Sequence, residues 1–298
     1  RPSGAALRRT ALAAAAVVLL AAARTPCAAA AFPLRDMAVA DSMDLSGEWR
    51  YAEDPNDAGA AEGWYAQTYD RSRWRTTTVP FVWGQQPGRL TYPVYAGIAW
   101  YSRTVTLPAR WTDETAIVFL GSMYVTDVWV NEKYAGIRRG GYSPFTLPLS
   151  RGIAPGGRAT IVVRVDNRLS AETIPGKNLG WNAYGGIYRE VYLVHRPRIR
   201  PEEIATSTAV PESGPAVLTV SGEMRNLTAG AYRGTISAEV LSESGVVGAG
   251  SAAVQLKPGG AGPFSIACSV ANARLWSPDD PYLHTLRIVW SAGERRTV

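Results

Sequence analysis

Beyond residue 31 this chain has no sustained 3.6-residue apolar repeat; instead, short β-type runs recur, broken by Gly, Pro, Asn and Asp. Clear runs are Trp100–Leu107, Ala116–Gly121, Thr126–Val130, Thr160–Val165 and Ile187–Val194. A later set covers Ala216–Val220, Gly234–Leu241, Ala252–Leu256, Phe264–Val270 and Leu286–Trp290. Asn131, Glu132 and Lys133 follow the third run and read as a hairpin tip. Many short strands at this spacing predict an all-β fold built from β-sandwiches.

The 298 residues are enough for two domains at about 150 residues each. The composition changes near residue 196: eight of the ten Trp lie between Trp49 and Trp181, and only Trp276 and Trp290 come later. The segment Arg196-Pro197-Arg198-Ile199-Arg200-Pro201 reads as a linker, because each Pro disfavours helix and removes a ladder donor. The boundaries predicted are 1–31 for a leader, 40–196 for a first domain and 197–298 for a second of immunoglobulin-like size.

Arg8 and Arg9 precede the thirteen-residue apolar run Ala11–Ala23, and small residues Ala28–Ala31 follow. Crossing a bilayer takes roughly 20 residues. The pattern is therefore that of a secretory signal peptide, and a secreted or periplasmic location is expected, with no membrane partner after leader removal. Cys27 is poorly placed for lipidation, since Arg24-Thr25-Pro26 precedes it. The four Arg of the leader account for four of the six net positive charges, which leaves +2 for the body. A near-neutral body lacks the clustered basic face that a nucleic-acid partner needs. Cys268 is the single cysteine beyond the leader, so no internal disulfide forms, and its alternating apolar context makes it a strand filler.

Several segments together resemble the front end of glycoside hydrolase family 2. They are Asp44-Leu45-Ser46-Gly47-Glu48-Trp49, Val79-Pro80 with Trp83, and Gly97-Ile98-Ala99-Trp100-Tyr101. Val128-Trp129-Val130-Asn131 with Gly136, Gly140-Gly141-Tyr142-Ser143-Pro144-Phe145, Val165-Asp166-Asn167 and Ile174-Pro175 follow in order. Tyr184-Gly185-Gly186-Ile187-Tyr188-Arg189 is the sharpest match, and Leu275-Trp276-Ser277-Pro278 with Pro281-Tyr282-Leu283 resembles the end of the family's second domain. The resemblance implies a jelly-roll (galactose-binding-like) β-sandwich followed by an immunoglobulin-like β-sandwich. In the family a (β/α)₈ barrel comes third and carries both catalytic carboxylates. A barrel needs about 250 residues, and none remain after Val298. The second domain ends within what reads as a last strand, so it is expected to be cut short.

The chemistry-bearing residues fit a non-catalytic role. A glycosidase needs two carboxyl groups flanking the scissile bond. Asn131-Glu132 sits at a hairpin tip, Asp279-Asp280 lies between two prolines as turn chemistry, and Asp166 ends a strand where it should bond loop backbone. The two His, His195 and His284, are 89 residues apart, and no ligand cluster exists, so neither a metal nor another cofactor is expected. Gly140-Gly141 and Gly185-Gly186 read as tight turns rather than phosphate cradles. Trp49, Trp100 and Trp129 sit in strand contexts and are expected in the core, and Arg189 is expected to bond neighbouring strands and loops.

Sugar binding is the chemistry left, since Trp and Tyr offer flat apolar surfaces and amide or charged groups bond hydroxyls. Two loops could supply it, Trp83–Tyr95 and Ile174–Tyr184, and the resemblance implies that both reach the mouth of the barrel. The substrate-binding candidates are Arg89, Tyr92, Asn178, Trp181 and Asn182, with no catalytic residue in the chain. Gly180 stands where some galactosidases and glucuronidases have Asp, and Arg89 where some galactosidases have Asn; both departures argue against a galactosidase-type subsite. The reading is the N-terminal non-catalytic region of an exported family 2 glycosidase. The full-length protein would hydrolyse a terminal β-linked sugar with retention, using two Glu of the absent barrel. Its partners would be the carbohydrate substrate and that barrel, with a homo-oligomer left open. A stand-alone lectin-like protein without catalysis is the alternative, and a purely structural module the third.

Overall fold

The computed structural model describes residues 39–83, 85–86, 89–90, 95–149, 153–174, 176, 184–292 and 295–297. Every regular element among them is a β-strand. The first twelve are β1 (Asp41–Asp44), β2 (Gly47–Glu53), β3 (Arg75–Val79), β4 (Gln85–Gln86), β5 (Arg89–Leu90), β6 (Ile98–Thr106), β7 (Glu114–Phe119), β8 (Val125–Val130), β9 (Lys133–Arg139), β10 (Phe145–Pro148), β11 (Arg158–Asp166) and β12 (Val191–Arg196). They form a four-stranded sheet in the order β1-β12-β7-β10 and a six-stranded sheet in the order β3-β2-β6-β11-β8-β9. Strands β4 and β5 make a separate two-stranded ribbon. The two larger sheets pack face to face as a jelly roll.

Side-chain alternation explains the core. Ala99 and Tyr101 of β6, Ile161, Val163 and Val165 of β11, and Ile117 and Phe119 of β7 point inward and meet Trp49, Trp83 and Leu193. The opposite face of β6 and β11 is not left to solvent. Ile98, Trp100 and Val162 are buried there with Trp74, and Trp64, Tyr65, Tyr69 and Trp129 pack against them. Residues 54–74 supply this outer layer as a string of turns. Asp54 starts it: its carboxylate accepts from Ala58 N (2.8 Å), Gly59 N (2.9 Å) and Trp100 Nε1 (2.9 Å). Trp49 and Trp100 are buried as expected. Trp129 is only partly buried, because it lies on the outer face, with Trp100 stacked 5.2 Å away and Tyr65 5.2 Å away.

The hairpin tip is where the sequence places it. Asn131 and Glu132 join β8 to β9 with φ of 47° and 61°, as a two-residue turn between twisted strands requires. The run Ile187–Val194 is corrected: the strand begins only at Val191. Before it, Gly186 has φ 105° and bridges Met123, and Ile187 and Glu190 satisfy Phe81 N (2.8 Å) and Leu120 N (3.0 Å) as an irregular segment.

The remaining strands are β13 (Ile199–Ala209), β14 (Ala216–Asn226), β15 (Tyr232–Ser242), β16 (Gly245–Leu256), β17 (Ala261–Val270), β18 (Thr285–Ala292) and β19 (Arg295–Thr297). They form sheets β13-β14-β17 and β16-β15-β18-β19, which pack as an immunoglobulin-like sandwich. Its core holds Val220, Met224, Ile236, Val254, Phe264, Ile266 and Trp290. Cys268 is buried in β17 with its thiol directed at Ala238 O (3.6 Å), which is the strand-filling role expected of it.

The segment expected as a linker is mostly strand. Arg196 closes β12 and Ile199–Pro201 opens β13, leaving Pro197 and Arg198 between them. Pro201 is tolerated because β13 is an edge strand, where a missing N–H costs no ladder bond. The short connection is pinned by charge. Arg200, almost fully buried, pairs with Glu114 (3.1 Å) and Glu202 (2.9 Å) and donates to Pro197 O (2.9 Å). No described helix is long and apolar enough to cross a membrane.

Candidate functional site

The side chains of Arg89, Tyr92, Asn178, Trp181 and Asn182 lie outside the described residues; of the five, only the backbone of Arg89 is placed, paired with Gln86 in the β4–β5 ribbon. What the structure does place is the root of each loop that carries them, and both roots meet at one end of the jelly roll. Trp83, where the first loop leaves, donates its backbone N–H to Gly185 O (3.0 Å), where the second loop returns. Phe81 and Ile187 repeat the link one step further in.

Asn167 ties the other two strands of chain to this point. Its Oδ1 accepts from Gly97 N (2.8 Å), its Nδ2 donates to Tyr95 O (2.9 Å), and its own N–H donates to Gly97 O (3.2 Å). Asn167 follows the last residue of β11 at the start of the path to the second loop, and Tyr95 and Gly97 close the first. One buried amide therefore sets the position of both.

The floor beneath is aromatic. Trp83 Nε1 donates to Tyr101 Oη, and the Trp83 ring lies 5.5 Å from that of Tyr95. Tyr95 Oη donates to Ile98 O (2.9 Å). Burial pushes the Tyr95 phenol up and that of the fully buried Tyr101 up strongly, so both stay protonated and hold their bonds. Gly185 lies flat on the Trp83 ring: a Cβ there would sit 2.1 Å from Cε3 and 2.6 Å from Asn167 Nδ2. Gly141 is similar, with Met123 Sδ 2.2 Å from its would-be Cβ. In each Gly-Gly pair the residue with positive φ, Gly140 at 115° and Gly186 at 105°, makes the expected turn, while its neighbour permits close packing.

On the far side of the second loop, Tyr184 and Tyr188 stand edge to face at 5.3 Å, and Tyr188 Oη donates to Gly141 O. Arg189 differs from expectation. Its backbone N–H donates to Gly121 O (3.2 Å), but the residue is exposed and its charge acts on the neighbouring Tyr188 phenol.

The nearby carboxylates are engaged. Asp166 accepts from Arg168 N (2.9 Å), the loop-backbone bond expected of it, and also binds the Arg168 guanidinium (2.6 Å). Asp57 holds both Arg164 (2.8 Å) and Arg168 (3.2 Å). Burial works against its ionisation, but the two guanidinium groups outweigh that and keep its carboxyl below the ordinary range. Asp280 is clasped by Arg274 in a turn, as expected, and Glu132 at the hairpin tip accepts from Gln67 N (3.2 Å). Among the described residues no three His, Cys, Asp or Glu are grouped to hold a metal ion. The arrangement can position two loops and present aromatic surface at one end of a sandwich.

Residues 43–197 match the sugar binding domain of glycosyl hydrolases family 2, and residues 199–297 match a second glycosyl hydrolases family 2 module. The chain belongs to family 2. It is 26% identical over 282 residues to a β-glucuronidase of Paenibacillus borealis, covering 86% of this chain and 43% of that protein. It is 26% identical over 290 residues to the β-glucuronidase of Felis catus, covering 85% and 42%. Among solved structures it resembles a glycosyl hydrolase family 2 member from Bacteroides cellulosilyticus, with a TM-score of 0.72 and 22% identity, over 86% of this chain and 35% of that one. The chain thus spans less than half the length of these relatives. Sequence reasoning had the motif residues at both loop roots but missed Asn167 as their anchor; the signal was an Asn next to Asp166 at a strand end, with Gly97 opening the partner strand.

Proposed function

We propose that this chain is the N-terminal, non-catalytic region of an exported family 2 glycosidase that hydrolyses terminal β-linked sugars, with β-glucuronides as the first substrates to test. The observation that carries the reading is the order of the two family modules, 43–197 then 199–297, in a chain that covers 43% of the Paenibacillus borealis β-glucuronidase. The remaining length in that relative would hold the two carboxyl groups that glycoside hydrolysis needs. This chain would supply the scaffold and, through the loops rooted at Trp83, Asn167 and Gly185, rim contacts from Arg89, Tyr92, Asn178, Trp181 and Asn182. Arg89, where some galactosidases carry Asn, fits a substrate other than a galactoside. The leader at 1–31 supports secretion to the periplasm or medium.

The test is the intact mass of the protein from its native source, followed by assay of p-nitrophenyl β-glucuronide and β-galactoside. A mass well above the ~29 kDa of the mature chain (about 110 Da per residue after the leader) and turnover of the glucuronide are expected. Trp181→Ala should then raise KM about tenfold with little change in kcat, as for loss of uniform binding. A mass near ~29 kDa with glycan binding and no turnover would establish the lectin-like alternative instead.

A further inference from the structure

The 274–284 loop of the second sandwich is built inside out. Its polar groups are spent on one another. Arg274 makes a two-point contact with Asp280 (2.8 and 2.6 Å) and lies 4.2 Å above the Tyr282 ring. Ser277 N donates to Asp280 O (2.9 Å), and Asp280 N to Ser277 Oγ (3.0 Å). His284 Nε2 donates to Arg274 O (3.1 Å), and Glu243 N to Tyr282 Oη (3.2 Å). The large apolar side chains face water: Leu275 is 53% exposed, Trp276 59% and Leu283 77%. Pro278 and Pro281 are exposed beside them.

A surface loop ordinarily shows the reverse distribution, and concentrated exposed apolar groups mark an interaction surface. Trp is also the residue most enriched at the energetic centre of interfaces. The internal ion pair and the two prolines fix the loop before anything binds, so little ordering cost would remain. Next to the patch, a cleft of about 270 Å³ is lined by Glu243, Ser244, Asn272, Arg274, Tyr282 and His284. With the His284 proton on Nε2, its buried Nδ1 is an acceptor for which the described residues hold no donor.

We infer that Leu275, Trp276 and Leu283 form a docking surface for the polypeptide that continues beyond residue 298 in the full-length protein. The inference rests on the proposed function, which supplies that polypeptide. The occupant is favoured over a second copy because the patch lies one strand before the last described residues, since β18 starts at Thr285, and because the relatives carry more than half their length outside the matched region.

Hydroxyl-radical footprinting of the native-length protein and of this 298-residue chain tests it. Trp276 and Leu283 should label readily in the shorter chain at low concentration and at least about tenfold more slowly in the native-length protein, as for a buried group. Tyr134, 54% exposed in the first sandwich, serves as the reference and should label alike in both. Trp276→Ser should leave the melting temperature of the shorter chain within about 2 °C, as for an exposed site. In the native-length protein it should lower the melting temperature by more than about 5 °C. Equal labelling of Trp276 in the two proteins would overturn the inference while leaving the proposed function standing. Concentration-dependent protection in the shorter chain would overturn it in favour of a second copy. A native mass equal to that of this chain would remove both readings together.

Discussion

Asn167 and Gly97 are bonded to each other twice: Gly97 N–H donates to the Asn167 side-chain oxygen at 2.8 Å, and Asn167 N–H donates to the Gly97 carbonyl at 3.2 Å. The Nδ2 of the same buried amide also holds Tyr95 O. Asn167→Ala should therefore cost about 3 kcal/mol of stability, since it leaves buried backbone groups unpaired. Asn167→Asp should cost at least as much, because it turns an acceptor toward the Tyr95 carbonyl. Denaturant titration gives the magnitude. Amide exchange at Gly97 gives the location, and unchanged protection there would show that the side chain is not the anchor.

Gly185 and Trp83 define how closely the two loop roots approach. A Cβ at 185 would lie 2.1 Å from the Trp83 ring, inside the packed core. Gly185→Ala should destabilise by about 3 kcal/mol, as overpacking of a rigid site does, and should alter the near-ultraviolet signal of Trp83. Gly230→Ala, where a Cβ meets nothing within 4 Å, is the matched control and should stay within about 0.5 kcal/mol of the parent.

These two contacts also show what could be seen in advance. The strands of both sandwiches were legible because alternation in segments such as Phe264–Val270 translates directly into one buried face. The outer layer at 54–74 was not, since Trp64, Tyr65, Tyr69 and Trp74 sit in turns without period; only their aromatic density hinted that they cover something. Arg196–Pro201 misled because proline argues against a central strand but not against an edge strand such as β13. At the site, the glycines, Trp83 and Asn167 could all be picked out by motif, yet the anchoring role of Asn167 could not, because it depends on bringing residues 70 positions apart into contact.

His195 should give the first sandwich a pH dependence. Burial lowers its pKa from 6.5, Asp113 and Asp41 oppose this, and Arg110 reinforces it. The geometry agrees: the ring stacks on Trp111 (5.7 Å) and its Nε2 accepts from Asp113 N (3.1 Å), which requires the neutral form at that nitrogen. The unfolded chain therefore takes up the proton first. The contribution of His195 to stability is present above the unfolded pKa of about 6.5 and is lost as pH falls toward the lower folded value. His195→Gln keeps an acceptor without titrating. Urea midpoints measured between about pH 7.5 and about pH 5 should fall less steeply for this variant than for the parent, and identical slopes would rule out His195 as the source.

Arg200 holds the junction of the two sandwiches, and its burial decides how much it matters. Its side chain is 4% exposed and lies between Glu114 of β7 and Glu202 of β13. Removing it leaves the largely buried Glu114, among the described residues, with only Arg196 at 3.7 Å, at a cost of about 3 kcal/mol. The Arg75–Glu53 pair has the shorter separation, 2.7 Å, but its side chains are 66% and 42% exposed. Water and salt screen it, so breaking it should cost less than about 1 kcal/mol. Arg200→Met should thus destabilise far more than Arg75→Met. Part of the loss should return in Arg200→Met/Glu114→Gln, where the carboxylate left with its more distant Arg196 partner is neutralised, giving a coupling of about 1–3 kcal/mol in a double-mutant cycle. Calorimetry should also show one transition for the parent and two for Arg200→Met, as the two sandwiches lose a charged contact that joins them. Equal costs for the two arginine variants would show that distance rather than burial sets the strength of these pairs.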